Sequence, residues 1–126
     1  MASTPIKSVL VVDDSRLARM MISKFIASRH PHWLILEASS GPEAIEKAKV
    51  ESPNYITMDY NMEGMSGAEA ARQILEYAPQ TNIVLFTANI QSSTRAEAGQ
   101  LGLHFVAKPV TEQSVRQALD FFESRA

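Results

Sequence analysis

Five short apolar runs, rich in branched and aromatic residues, alternate along the chain with longer segments whose apolar residues recur every three or four positions. Short branched runs predict β-strands, and the three-to-four repeat predicts α-helices. The predicted strands are Val9–Val12, Trp33–Leu36, Tyr55–Asp59, Ile83–Phe86 and Phe105–Ala107. The predicted helices run from Leu17 to Ser28, from about Pro42, from Gly67 to about Tyr77, from about Ser93 to Leu101, and from near Thr111.

This regular alternation of strand and helix predicts the fold class. Short connections favour right-handed crossovers, which produce a parallel sheet with helices on both faces. We predict a doubly wound α/β fold of the flavodoxin-like type, with five parallel strands in the order 2-1-3-4-5 and five helices. The length of 126 residues, without an internal repeat or a linker, favours a single domain over residues 1–126.

The composition argues against several classes of function. The net charge of −2 comes without a basic stripe, which argues against direct nucleic-acid binding. The chain has no cysteine, so disulfides and thiolate metal ligands are excluded. No apolar run approaches the roughly 20 residues that span a bilayer, and the first residues lack the pattern of a signal peptide. We therefore expect a cytoplasmic protein with no membrane segment.

Polar side chains follow four of the five predicted strands. Asp13 and Asp14 follow the first strand, and Asp59 ends the third. Thr87 follows the fourth strand and Lys108 the fifth. Because the carboxyl ends of parallel strands lie at one edge of the sheet, where such folds bind ligands, we expect these side chains to lie close together.

The three carboxylates of this set indicate a metal site. In the order 2-1-3-4-5 the first and third strands are neighbours, so Asp13, Asp14 and Asp59 share a small space. Like charges at such distances repel and raise one another's pKa values unless a cation compensates them. Oxygen ligands without His or Cys suit a hard ion, and Mg²⁺ is the most obvious candidate. Asn61 is placed to add a carbonyl oxygen.

A carboxylate beside a divalent cation and a lysine suits phosphoryl transfer. Asp59 could attack a phosphoryl group as the nucleophile. The metal and Lys108 would neutralise the charge on the phosphoryl oxygens, and the Thr87 hydroxyl would donate to one of them. Each residue also has an ordinary explanation, as a helix N-terminal charge, a turn residue or a solvated side chain. Their joint placement at strand ends favours the functional interpretation.

Four motifs at these strand ends resemble those of the response-regulator receiver domain, the CheY-like family. They are Val-Val-Asp13-Asp14-Ser, Met-Asp59-Tyr-Asn-Met-x-Gly64-Met-x-Gly67, Thr87-Ala88 and Lys108-Pro109. Their order and spacing match the family over essentially the whole chain. The resemblance implies a phospho-acceptor signalling switch of a two-component system or phosphorelay. Such a domain is not an enzyme on external substrates and catalyses only its own phosphorylation and dephosphorylation.

The resemblance also implies roles for individual residues. Asp59 would be the phospho-acceptor, and Asp13, Asp14, Asp59 and the Asn61 backbone carbonyl would hold Mg²⁺. The resemblance further implies that Lys108 and Thr87 would sense the phosphoryl group. Thr87 and Phe105 would form the conformational switch, Phe105 by packing because it lacks a hydroxyl. Asn61 and Asn89 would tune the lifetime of the phosphoryl group.

Partners follow from the same resemblance. A sensor histidine kinase or a phosphotransfer protein would phosphorylate the domain, and a downstream protein partner or effector domain would receive the signal. The partner-binding face would extend from about Ser93 through Phe122, over the fourth helix, the fifth strand and the fifth helix. This face could also support a dimer on activation. The peptide bond between Lys108 and Pro109 would be cis.

Three rival functions were weighed against this interpretation. A nucleotide or flavin carrier needs a Gly- or Ser-rich phosphate cradle after the first strand, and Asp13 and Asp14 occupy that turn. An aspartyl phosphohydrolase of the haloacid-dehalogenase type needs an acid two residues after the nucleophile, and Asn61 cannot transfer that proton. A phosphorylation-independent scaffold or interaction module would not need the intact set of five side chains, but it remains the main alternative.

Overall fold

The computed structural model describes residues 6–88, Gly99 and residues 103–125. The elements are β1 (Ser8–Val12), α1 (Arg16–Arg29), β2 (Leu34–Ala38), α2 (Gly41–Glu51), β3 (Tyr55–Asp59), α3 (Gly67–Tyr77), β4 (Asn82–Thr87), β5 (His104–Ala107) and the C-terminal helix (Glu112–Ser124). The helix predicted from about Ser93 to Leu101 lies outside the described residues except for Gly99, which is helical. Within the described ranges, every helix is too short or too polar to cross a membrane.

The five strands form one parallel sheet in the order β2-β1-β3-β4-β5, which confirms the predicted topology. The two central neighbours at the reversal of strand order are β1 and β3, with Val12 opposite Met58. Since all strands run in the same direction, their carboxyl ends lie along one edge. This edge therefore carries the residues that follow β1, β3, β4 and β5.

The edge strand β2 begins and ends later than the sequence predicted. The prediction was Trp33–Leu36, whereas the strand spans Leu34–Ala38. Its hydrogen-bonded ladder with β1 continues through Glu37 and Ala38, opposite Val11 and Val12. The partner strand, rather than the apolar run, therefore sets the end of β2. Trp33 precedes the strand and stacks between His30 and Tyr55, with ring centroids 3.7 and 5.0 Å away.

Hydroxyl side chains define the starts of the four helices whose bounds lie within the described residues. In each case the residue before the helix accepts the backbone N–H three positions later, at 3.1–3.2 Å: Ser15 from Ala18, Ser40 from Glu43, Ser66 from Glu69 and Thr111 from Ser114. Such caps satisfy donors that the first helical turn leaves unpaired. The last helix has a reciprocal cap, because the Ser114 hydroxyl also accepts the Thr111 N–H at 2.8 Å.

Two hydrophobic clusters fix the helices to the sheet. On one face α2 and α3 cover Leu10, Ile56 and Leu85. On the other face α1 and the C-terminal helix cover Val9, Val84 and other sheet residues. The inner strands β1, β3 and β4 are buried on both faces, as continuous apolar runs predict. This double cover holds the carboxyl ends of β1 and β3 in place.

Candidate functional site

Three carboxylates meet where β1 and β3 end side by side. Asp13 follows the last residue of β1, and Asp59 is the last residue of β3. One oxygen from each of Asp13, Asp14 and Asp59 lies within 4.8 Å of the others. Asp13 and Asp59 are buried, with 1% and 3% of their surface exposed, whereas Asp14 is exposed. The predicted acidic cluster is thus present at the predicted edge.

Asp13 is held in place by its backbone and by one of its two carboxylate oxygens. Its N–H donates to the Ala38 carbonyl at 3.1 Å, and its Oδ1 accepts the Ser15 N–H at 2.9 Å. Its Oδ2 is buried and accepts no hydrogen bond from the described residues. Lys108 Nζ lies 3.9 Å from this oxygen. A buried carboxylate oxygen without a hydrogen bond is costly to leave unpaired, and a cation bound there would offset that cost.

Lys108 supplies the only ammonium group within 4 Å of the acidic cluster in the described part of the chain. Its Nζ lies 2.9 Å from Asp59 Oδ1. The backbone places this side chain, because the Lys108 N–H donates to the Thr87 carbonyl at 2.8 Å and extends the pairing of β4 with β5. The peptide bond between Lys108 and Pro109 is cis. Asp59, Thr87 and Lys108 therefore share one rim of the sheet.

The electrostatics of the cluster favour a cation. Burial raises the pKa of Asp59, and the hydrogen bond and charge of Lys108 oppose that rise. Burial also raises the pKa of Asp13; the Ser15 N–H and Lys108 lower it, whereas the neighbouring Asp59 and Asp14 add to the rise. One ammonium thus lies within 4 Å of two buried carboxylates, and the exposed Asp14 adds a third negative charge to the cluster. Another positive charge would relieve both the desolvation and the repulsion.

The loop after Asp59 depends on two glycines. Gly67, the first residue of α3, packs so closely under the site that a Cβ atom there would lie 2.2 Å from the Asp59 carbonyl oxygen. Gly64 has φ +82°, in the left-handed region that favours glycine. The Gly67 N–H donates to the Tyr60 carbonyl at 2.9 Å, and the Asn61 N–H reaches Asp59 Oδ1 at 3.4 Å. The loop is therefore anchored at both ends around the Asp59 carboxylate.

The residues expected to act as a switch lie further along the same region. Thr87 ends β4, is buried and pairs with Ala107 of β5. Phe105 lies in β5 opposite Leu85, half-buried against the cluster covered by α2 and α3. Asn61 is exposed beside the acidic cluster. Asn89, expected to tune the phosphoryl lifetime, lies outside the described residues. The roles given to these residues stay predictions.

Sequence reasoning missed Arg19 as a residue that supports the site. Its Nη1 donates to the Asp13 carbonyl at 2.8 Å, and its Nε pairs with Glu37 Oε1 at 2.9 Å. Arg19 therefore links the turn after β1 to the end of β2. The sequence gives only a weak indication of this role, because Arg19 lies one turn into α1 and an arginine at such a position is usually a solvated charge. Only its length lets the side chain reach back over the N-terminus of the helix.

The donor set fits a hard divalent cation. All three side chains offer oxygen, one of those oxygens is buried without a hydrogen bond, and one carboxylate is open to solvent. Mg²⁺ usually binds one or two carboxylates and keeps several waters. The exposed position of Asp14 and Asn61 leaves room for such waters at this edge. The arrangement can thus bind a cation and present the Asp59 carboxylate beside it.

Several known proteins are similar to this chain in sequence and in fold. Residues 9–120 match the family described as "Response regulator receiver domain". The chain is 36% identical over 115 residues to the "Chemotaxis protein CheY" of Thermotoga maritima, covering 90% of this chain and 95% of that protein. It is 35% identical over 113 residues to the protein of the same name from Bacillus subtilis, with 89% and 93% covered. The response regulator domain of Thermotoga maritima CheB has a TM-score of 0.83 at 30% identity, with 96% of each chain covered.

Proposed function

The chain belongs to the response regulator receiver domain family, the phospho-accepting switches of two-component signalling, and we propose that Asp59 is its phospho-acceptor. Receiver domains are signalling modules rather than a family of enzymes, and they interact in general with histidine kinases and downstream effectors. The observation that carries the assignment is the pairing of buried Asp59 with Lys108 at 2.9 Å inside a three-carboxylate cluster. Asp59 is the member of that cluster that has an ammonium group in direct contact.

We propose that Asp13, Asp14, Asp59 and the Asn61 backbone carbonyl hold Mg²⁺. The support is the cluster of carboxylate oxygens and the buried Asp13 oxygen without a hydrogen bond. When bound, the ion would neutralise charge that develops on the oxygens of the transferred group. Arg19 donates a hydrogen bond to the Asp13 carbonyl and would thereby hold Asp13, the first of these ligands, in position.

The transfer step is a displacement at phosphorus by the Asp59 carboxylate. A carboxylate oxygen forms the new bond to phosphorus while the bond from phosphorus to the donor's leaving group breaks, and the product is an aspartyl phosphate. Lys108 would move its charge from the free carboxylate to the phosphoryl oxygens, and the Thr87 hydroxyl would donate to one of them. Water attack at the same phosphorus would later release inorganic phosphate. The domain thereby catalyses only its own modification.

Signal output would follow from the movement of Lys108 and Thr87 toward the phosphoryl group. Both residues adjoin β5, and Phe105 lies within that strand. We propose that repacking of Phe105 alters the surface formed by β5 and the C-terminal helix, together with the predicted helix before β5. A sensor kinase or phosphotransfer protein would donate the group, and a downstream partner, an effector domain or a second copy would bind the altered surface. The single receiver domain over residues 1–126 and the cytoplasmic location stay predictions.

Intact-mass spectrometry tests the acceptor assignment. The protein is incubated with acetyl phosphate and Mg²⁺, and we expect the mass to increase by one phosphoryl group. Asp59→Asn should abolish the increase, and excess EDTA should prevent it in the parent protein. Glu63→Gln, an exposed carboxylate in the loop after β3, should label like the parent. A parent protein that gains no mass would favour the phosphorylation-independent scaffold instead.

A further inference from the structure

A second pocket lies at the opposite edge of the sheet from the acidic cluster. It has a volume of about 230 Å³ and is lined mainly by the residues that precede or begin strands, including Lys7, Asn54, Tyr55 and Asn82, with Arg125 from the end of the C-terminal helix. A five-residue strand is about 15 Å long, so this pocket is separated from Asp59 by the length of β3. It is therefore distinct from the acidic site.

The pocket carries two positive charges that no carboxylate of the described residues neutralises. Lys7 Nζ lies 5.9 Å from the ring centroid of Tyr55, and the Arg125 guanidinium lies 5.1 Å from that of Phe121. Neither cation forms an ion pair within the described ranges, whereas Arg29 pairs with Asp120 and Glu123, Arg72 with Glu69 and Glu76, and Arg116 with Glu112. Aromatic rings position both charges without cancelling them.

The charge of Arg125 also affects the neighbouring His104 side chain. Burial lowers the pKa of His104, and the charge of Arg125 lowers it further. His104 stacks on Phe121, the same ring that Arg125 covers, with centroids 4.5 Å apart. Arg125 and His104 therefore pack on one aromatic ring beside the pocket.

The polar wall of the pocket is rigid and contributes donors. The Asn54 side chain accepts the Ser8 N–H through Oδ1 at 2.9 Å, while the Asn54 N–H donates to the Ser8 carbonyl at 3.0 Å. The Asn54 carbonyl in turn accepts the Asn82 N–H at 3.2 Å. With its oxygen accepting the Ser8 N–H, the Asn54 side chain keeps both of its amide N–H groups available to a ligand. Donors and cations together select an anion.

A pocket with a larger share of apolar surface adjoins this one. It has a volume of about 270 Å³, shares Thr81, Asn82 and Arg125 with the first, and is walled by the apolar residues Leu75, Ile83, Leu103 and Phe121. Either pocket alone is smaller than typical small-molecule sites, whereas the pair together falls within their usual range of roughly 300–1,000 Å³. Arg125 lines both pockets. A ligand that fills both would place its charge beside Lys7 and Arg125 and its apolar part against Phe121.

We propose that this paired pocket binds a small molecule that carries one anionic group, a phosphate or a carboxylate, on an apolar or aromatic body. The cations would hold the anionic group by charge-assisted hydrogen bonds, and the apolar walls would exclude water from the rest. Phe121 in the C-terminal helix and His104 in β5 pack beside the site, so a bound molecule would contact the elements proposed to carry the output.

Isothermal titration with four probes, in buffer with EDTA and without divalent ions, tests this binding. The probes are 1-naphthyl phosphate, 1-naphthoate, inorganic phosphate alone and neutral 1-naphthol. We expect naphthyl phosphate or naphthoate to bind at least about tenfold more tightly than inorganic phosphate or naphthol, and the tighter of the two identifies the anionic group. Equal binding of naphthol, or no binding of either naphthyl anion at millimolar concentration, would overturn the proposal.

Variants assign the binding to this pocket. Lys7→Gln and Arg125→Gln should each weaken the tighter anion about tenfold, the loss of one charged hydrogen bond. Lys49→Gln is the matched control, since Lys49 also lies over an aromatic ring, Tyr77 at 5.5 Å, but on another face. It should bind like the parent. Unchanged affinity in both pocket variants would show that the anion binds elsewhere.

The same variants separate this proposal from the phospho-acceptor assignment. Lys7→Gln and Arg125→Gln should gain the phosphoryl mass from acetyl phosphate and Mg²⁺ as the parent does. Asp59→Asn should lose that mass gain and still bind the naphthyl anion. If Asp59→Asn instead bound the naphthyl anion more tightly than the parent, because the charge of Lys108 is no longer paired with Asp59, the probe would be binding at the acidic edge and the second site would be refuted.

Discussion

Lys108 Nζ lies 2.9 Å from Asp59 Oδ1 and 3.9 Å from Asp13 Oδ2. A single ammonium group therefore bridges the carboxylates that end β1 and β3. The Lys108 N–H is bonded to the Thr87 carbonyl at 2.8 Å, so β4 and β5 fix the position of this charge. The ion pair stabilises the unphosphorylated site, and its exchange for a phosphoryl contact would couple the acceptor to β5.

Removal of this charge should slow phosphorylation without weakening the metal site. Lys108→Met keeps the length of the side chain and removes its ammonium. We expect the rate of labelling by acetyl phosphate to fall by about 100-fold, the typical effect of removing one group that stabilises transition-state charge. Stabilisation by Mg²⁺ in thermal unfolding should be at least as large as in the parent, because Lys108 repels the ion.

Lys49→Met, a lysine on a distant face, serves as the control for this experiment. It should label at the parent rate. A Lys108→Met protein that also labels at the parent rate would contradict the role of this ammonium in transfer.

Asp13→Asn should stabilise the metal-free protein and weaken its response to Mg²⁺. The amide keeps an oxygen for the Ser15 N–H and removes a buried charge whose Oδ2 accepts no hydrogen bond. We expect the free energy of unfolding in EDTA to rise by about 1–2 kcal/mol, because a neutral amide replaces a buried carboxylate that Asp59 and Asp14 repel. The gain in stability on adding Mg²⁺ should shrink, since the variant loses a proposed ligand. Urea unfolding with and without Mg²⁺ measures both.

Glu63→Gln removes an exposed carboxylate from the loop after β3 and serves as the control. It should change neither the free energy of unfolding in EDTA nor the gain in stability on adding Mg²⁺ by more than about 0.5 kcal/mol. An Asp13→Asn protein that is less stable in EDTA, or that gains as much from Mg²⁺ as the parent, would count against the proposed metal ligand.

Gly67→Ala should disturb both stability and labelling. An added Cβ would lie 2.2 Å from the Asp59 carbonyl oxygen, so α3 or the end of β3 must shift. We expect a loss of about 1–3 kcal/mol of unfolding free energy, as for overpacked cores, and slower phosphorylation because the acceptor moves. Chemical denaturation and the acetyl phosphate assay measure the two effects.

The chain offers a matched control in Gly99, a helical glycine whose added Cβ meets no described atom within 4 Å. Gly99→Ala should be neutral or stabilise by up to about 1 kcal/mol. If Gly67→Ala were as stable as Gly99→Ala and labelled at the same rate, the result would contradict the close approach of α3 to the Asp59 carbonyl oxygen.

The Glu123 carboxyl should make the stability of the protein depend on pH below about 4.5, which is the ordinary pKa of a glutamate side chain. Burial raises the pKa of this carboxyl, but hydrogen bonds from His30 and Arg29 outweigh burial and lower it. A lowered pKa means that the unfolded chain binds the proton first, so the stabilisation is present above pH 4.5 and is lost as pH falls through the folded value. Glu123→Gln should therefore be less stable at neutral pH, and the difference should close in acid.

The expected difference at neutral pH is below about 1 kcal/mol, because exposed ion pairs are screened. Thermal unfolding from pH 7 to pH 3 measures it, with Glu51→Gln, an exposed carboxylate at the end of α2, as the control. A difference between Glu123→Gln and the parent that stays constant down to pH 3 would exclude this source of pH dependence.

The sequence was sufficient to predict the sheet order and the acidic cluster. Apolar runs that are buried on both faces identify β1, β3 and β4 without any knowledge of neighbours, and parallel topology then brings their carboxyl ends to one edge. This is why Asp13 and Asp59 could be placed together although 45 residues lie between them. The bounds of α3, Gly67–Tyr77, also followed from local signals, since Ser66 caps one end and Pro79 follows the other.

Contacts that depend on side-chain reach or on a partner strand were not predictable. The end of β2 is set by its ladder with β1, so the apolar run gave the wrong bounds. The bond from Arg19 to the Asp13 carbonyl depends on how a long side chain folds back over its helix, which periodicity does not encode. The same holds for the approach of Gly67 to the Asp59 carbonyl, because interatomic distances between elements arise only on packing.

The identity of the phosphorylated carboxylate is the central claim, and chemical trapping tests it most directly. After labelling with acetyl phosphate and Mg²⁺, borohydride reduces an aspartyl phosphate to homoserine and releases phosphate, and peptide mapping by mass spectrometry locates the converted residue. We expect conversion at residue 59 alone. Conversion at residue 13 or 14, or no conversion in a protein that has gained the phosphoryl mass, would contradict it.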